Sequence, residues 1–102
     1  MNNAHNESTE RLFRTIAEIA SPEECRAFLE DLCTIKEIHD MAQRLDTAIL
    51  LDQGISYQKI SEQVGVSTAT ISRVNRALVY GADGYRAAID KMKEAGAKND
   101  DQ

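Results

Sequence analysis

The sequence predicts an all-helical fold, and three observations carry that prediction. Apolar residues return at spacings of three and four along most of the chain, the period of one helix face. No segment shows the apolar and polar alternation of a half-buried strand. Helix breakers are scarce, one proline and five glycines in 102 residues, and Pro22, Gly54 and Gly65 fall between the periodic segments.

The helices follow in order. Leu12, Phe13, Ile16 and Ala20 mark a first helix over about residues 8–20. Ser21-Pro22-Glu23-Glu24 opens a second, with Ser21 placed to accept the Glu24 N–H and Pro22 suited to the first helical position. Its apolar face is Cys25, Phe28, Leu29 and Leu32. Thr34 caps a long third helix that runs to about Gln53, and Gly54 supplies a left-handed stop. Its stripe of Ile35, Ile38, Met41, Ala42, Leu45, Ala48 and Ile49 is widened by Leu50 and Leu51. Short helices with connections of one or two residues cannot all fold back over so wide a stripe, so a second subunit is expected to cover the rest. Near the C-terminus, Tyr85, Ala88, Ile89 and Met92 read as core. The chain is read as one domain over 1–102, with residues 1–7 and 97–102 expected to be disordered.

Composition narrows the function classes. Apolar residues make up 42% of the chain, which suits a globular protein. No run approaches 18 apolar residues and the N-terminus carries no signal core, so the expected compartment is the cytoplasm, with no membrane partner. Net charge is −5, which argues at first against nucleic acid, yet the charge is unevenly spread. Residues 1–54 hold 5 basic against 11 acidic side chains, a net of −6. Residues 55–80 hold Lys59, Arg73 and Arg76 against Glu62, a net of +2. A DNA phosphate responds to charge within roughly 8 Å at physiological salt, so the local excess decides.

That local excess sits in SYQKISEQVGVSTATISRVNRALVYG, which begins at Ser56. Taking Gly65 as a tight turn, a short helix capped by Ser56 places Ile60 and Val64 on one face, and the small Ser61 allows close helix approach. Val66 plugs the junction and Ser67 caps a second helix whose inward stripe is Ile71, Val74 and Leu78. The result is a helix-turn-helix over about 56–80. Its outward face carries Thr68, Ala69, Ser72, Arg73 and Arg76, and residues 63–82 contain no acid. Small side chains permit close approach to a major groove, and arginines suit guanine edges or phosphates. Gln58 and Lys59 lie on the preceding helix, where backbone contacts are expected, and Ser67 adds a hydroxyl at the start of the recognition helix. A merely solvated helix face usually mixes both signs. The expected partner is double-stranded DNA, read with sequence specificity.

The runs VSTATISRVNRALVYG and ISYQKISEQVG, with the helical spacing from Ser21 onward, resemble the Trp-repressor superfamily, in particular its small Trp-repressor-like branch of the YerC/YecD type. The likeness spans about residues 8–93. It implies a six-helix subunit, an intertwined homodimer made by the N-terminal helices, and a transcriptional regulator, in particular a repressor. It also implies an effector role for Arg73, within Ala69-Thr70-Ile71-Ser72-Arg73, because the arginine there packs over bound indole in the true repressor. Three readings of Arg73 stay open: ligand contact, DNA contact, or ion pair with an acid of the long helix. The second ligand arginine falls at Arg44 or at Gln43, depending on a one-residue gap near Gly54. Val74 stands where the resemblance expects a glycine beside the indole, and Ala77 where it expects a serine. A branched side chain in such a slot costs about 1–3 kcal/mol of overpacking. Tryptophan is therefore disfavoured as corepressor, no cofactor is expected, and any small-molecule effector is of unknown identity.

The remaining reactive residues point elsewhere than to chemistry. Cys25 and Cys33 are eight apart and lack a ligand spacing, so they read as small, partly buried thiols, and no metal site is expected. His39 lies on the edge of the long helix, facing solvent or pairing with Asp40 or Glu37. Glu23, Glu24, Glu30 and Asp31 read as a solvated acidic surface. Tyr57 and Tyr80 offer hydroxyls to phosphates. No nucleophile and base pair or phosphate loop stands out, so the chain is not read as an enzyme. The alternative to DNA binding is a helix-turn-helix fold used only for protein interaction, with the DNA-binding piece of a larger enzyme a distant third.

Overall fold

The structure is a computed structural model and describes residues 6–100. Among the described residues there are six helices and no strand: α1 (Glu7–Ala17), α2 (Pro22–Leu32), α3 (Ile35–Asp52), α4 (Tyr57–Val64), α5 (Thr68–Tyr80) and α6 (Gly84–Asp100). Most begin on a side-chain cap. The Asn6 side chain accepts the Thr9 N–H at 2.9 Å, and the Ser21 hydroxyl accepts that of Glu24 at 3.1 Å. At α3 the cap is reciprocal, with the Glu37 N–H donating to Thr34 Oγ1 at 3.0 Å and the Thr34 N–H to Glu37 Oε1 at 2.8 Å.

One expectation is corrected. The first helix ends at Ala17, short of residue 20: the Glu18 N–H is shared between the Arg14 and Thr15 carbonyls at 3.2 Å each, and the helix stops without a glycine or proline. α1 starts on the Asn6 cap, and α6 continues through Asp100. Residues 1–5, 101 and 102, where disorder is expected, lie outside the described residues. By its internal packing the chain divides into two compact units, Met1–Ile38 and His39–Gln102, and the division falls within α3.

In the first unit no described side chain is buried, so residues 6–38 have no core of their own. Phe13 is 49% exposed and Ile35 89%. The second unit has two joined cores. Ala48, Val74 and Ile89 are buried together, flanked by Ile49, Leu51, Leu78 and Tyr85. Ile60, Val66 and Ile71 form the other, flanked by Leu50, Leu51, Ile55 and Val64. Leu51 touches both, so the end of α3 supports α4, α5 and α6 at once. Ile60 and Ile71 are wholly buried, each contributing about 1.5–3 kcal/mol relative to exposure.

Charge adds a clasp between α3 and α6. Asp52 lies 2.7 Å from Arg86 and 2.8 Å from Lys93, with its side chain only 10% exposed. Hydrogen bonds from Lys93 and then Arg86 hold its carboxyl below the ordinary carboxylate value of 3.8. At the end of α5, the Gly81 N–H closes onto the Ala77 carbonyl at 2.9 Å, and a Cβ at Gly81 would run into that same carbonyl. No helix among the described residues is long and apolar enough to cross a membrane.

Candidate nucleic-acid interface

The site is built on the turn between α4 and α5. The Ser56 hydroxyl accepts the Lys59 N–H at 3.2 Å and starts α4. Gly65 ends it in the left-handed region at φ 83 and ψ 29, a conformation that costs a side-chain-bearing residue roughly 1 kcal/mol or more. Val66 is 9% exposed and plugs the junction. The Ser61 hydroxyl donates to the Val66 carbonyl at 2.8 Å, which gives that small residue a bonding role besides its size. Ser67 then accepts the Thr70 N–H and donates to Thr70 Oγ1, both at 3.1 Å, and α5 begins.

Burial divides α5 into two faces. Ile71 is 0% exposed, Val74 2%, and Leu78 is half-buried against the same core. Thr68, Ala69, Ser72, Arg73 and Arg76 are all exposed, as are Ser67, Gln58 and Lys59. Ala69, Ser72, Arg73 and Arg76 line one shallow, open hollow along α5. Two cations on a helix that itself carries no acid, together with the positive end of the helix dipole at its capped start, make this face attractive to phosphate.

Other candidate residues lie apart from this hollow. Among the described residues Arg73 forms no ion pair, so its pairing with an acid of α3 does not occur there. Arg44 is exposed on α3 and does not line the hollow. Gln43, the alternative position for a ligand arginine, donates its side-chain amide to the Val64 carbonyl at 3.2 Å. That bond joins residues 21 apart and leaves no trace in local periodicity. His39, Tyr57 and Tyr80 are exposed, and Tyr85 packs on the Ala48 core. Cys25 and Cys33 are free, half-buried thiols. No group of three or more His, Cys, Asp or Glu among the described residues is placed to hold a metal ion.

Comparison with known proteins bears on the same fold. The family model for the Trp repressor protein matches residues 7–93. The YerC protein of Bacillus subtilis, itself uncharacterized, is 51% identical over 85 residues, covering 83% of this chain and 82% of that protein. A TrpR-like protein from Eubacterium eligens superimposes with a TM-score of 0.86 at 41% identity, covering 91% of this chain and 96% of the other. A further crystal structure, from Staphylococcus aureus, gives a TM-score of 0.84 at 38% identity with the same coverage.

Proposed function

The chain belongs to the Trp repressor family, and from that premise we propose that it is a sequence-specific, double-stranded-DNA-binding transcriptional regulator, of the repressor kind, working as a homodimer in the cytoplasm. One observation carries the reading. A capped recognition helix exposes Thr68, Ala69, Ser72, Arg73 and Arg76 on one face, while Ile71 and Val74 of the other face are buried. Thr68, Ala69 and Ser72 stand nearest the helix start and read base edges; Arg76, Lys59 and Gln58 hold phosphates, and Arg73 joins them from the shared hollow.

Dimerisation is supported by apolar surface that one chain leaves open. Leu12, Phe13, Ile16, Leu32, Ile35, Met41 and Leu45 are all more than a third exposed. Large apolar side chains left this exposed suit burial by a partner chain. A two-fold dimer would favour an inverted repeat with half-site centres roughly 34–36 Å apart. Free tryptophan is not the effector in this reading, since Val74 fills the space beside Ala48 and Ile89. No enzymatic step is assigned. The test is fluorescence anisotropy with a selected duplex and a scrambled one across a salt series. Binding to the selected duplex with a steep salt dependence is expected. Binding to neither at low salt would replace the DNA reading with a protein-interaction module.

A further inference from the structure

Resting on the DNA-reading function above, we propose that Gln43 is a positioning residue that sets the angle of the recognition helix, through the hydrogen bond from its amide to the Val64 carbonyl. A helix leaves its last four carbonyls without partners in the helix, and at α4 these are residues 61–64. Two of the four have partners at the turn. The Ser61 carbonyl receives the Gly65 N–H at 2.9 Å, and the Val64 carbonyl receives Gln43 Nε2 at 3.2 Å. Beyond the glycine, the Val66 carbonyl is taken by the Ser61 hydroxyl. Of these three bonds only the one from Gln43 reaches outside the turn, to α3.

The base of that bond is fixed. Thr47 Oγ1 donates to the Gln43 carbonyl at 2.8 Å, and Thr47 and Ala48 are both wholly buried. Apolar packing of Leu50 and Leu51 on the cluster of Ile60, Val66 and Ile71 holds the helix-turn-helix onto α3, but such packing is non-directional and leaves a rotation about the contact. A hydrogen bond is directional and removes that freedom. Its acceptor sits one residue before Gly65, where the chain direction changes. From residue 68 to residue 76 the helix is a lever of about 12 Å, so a swing of roughly 10° displaces Arg76 by about 2 Å and Ser72 by about 1 Å, and turns Thr68 and Ala69 through the same angle. A flexible arginine can follow a displaced phosphate, whereas short side chains reading base edges cannot. The tether therefore governs discrimination more than grip.

The experiment uses the full chain with Gln43→Leu, which keeps bulk and removes the donor, and Gln43→Arg, which restores a donor. Gln43→Glu, equal in size but with a carboxylate facing the carbonyl, carries the same readings if leucine perturbs folding. Anisotropy on the selected and scrambled duplexes is paired with amide exchange at residues 65–68. We expect the donor-free variants to lose selected-duplex affinity roughly tenfold. Scrambled-duplex affinity and salt slope should stay unchanged, exchange should quicken at 65–68, and arginine should recover most of the loss. Undiminished discrimination, or equal loss on both duplexes, would overturn the proposal. If the wild type binds neither duplex, the DNA reading fails on its own, and unchanged exchange at 65–68 in the donor-free variants overturns the tether separately.

Discussion

The two units of this chain solve the same problem in opposite ways. Residues 39–100 bury Ala48, Ile60, Val66, Ile71, Val74 and Ile89 against one another. Residues 6–38 carry comparable apolar residues at helical spacing and bury none of them. Helical periodicity therefore reports that a face will be covered without saying by what. A stripe covered within the chain and one left open on it look alike in sequence.

The contrast can be broken most sharply at Leu45, which is 38% exposed in the single chain. Leu45→Asp should cost about 3–5 kcal/mol of dimer stability if a second subunit buries it, because an unpaired charge would be enclosed. Sedimentation equilibrium at micromolar protein would then show loss of the dimer, while a wild type that is a cooperatively folded monomer would sink the argument. Ile71→Ala tests the closed unit. Its loss of about 2–5 kcal/mol in urea unfolding should come from the cavity beside Ile60 and Val66 and leave self-association intact. Thr68→Val should cost roughly 1–3 kcal/mol on the selected duplex and almost nothing on a scrambled one. Arg76→Ala or Lys59→Ala should weaken both duplexes alike and make the logarithmic salt slope shallower by about 1.8, close to 0.9 per subunit.

The smallest effect is expected from pH. Asp52 is held below its ordinary value of 3.8 by Lys93 and Arg86, so the folded state binds its proton less readily than the unfolded chain. Its stabilising contribution is complete above that ordinary value and is lost as pH falls through the lower folded value. Asp52→Asn should flatten the acid limb of a thermal unfolding series and leave the neutral limb's slope unchanged. An acid limb identical to the wild type would show that the clasp between α3 and α6 contributes nothing.

Much of this was legible because it is local. Ser21, Thr34, Ser56 and Ser67 cap helices within three residues of their partners, and Gly65 turns where the apolar register requires it. The outward set on α5 follows from the inward one by helix geometry. What escaped was either unmarked or distant. α1 ends at Ala17 on a shared backbone bond, with no breaker to announce it. The Asp52 clasp and the Gln43 amide join residues 21 or more apart, and no period in the sequence connects them.

Gly81 carries a consequence for how the surface tolerates change. Solvent-exposed positions usually accept most side chains, and Gly96, with open space around it, is a position of that type. Gly81 is equally exposed, but any β-carbon added there meets the backbone carbonyl of Ala77, which cannot swing aside as a flexible side chain would. A saturation library across α5 and α6 should therefore find at this surface glycine the intolerance normally reserved for the interior. The loss would arise as the recognition helix is forced to unwind its last turn, next to the exposed Val79 and Tyr80.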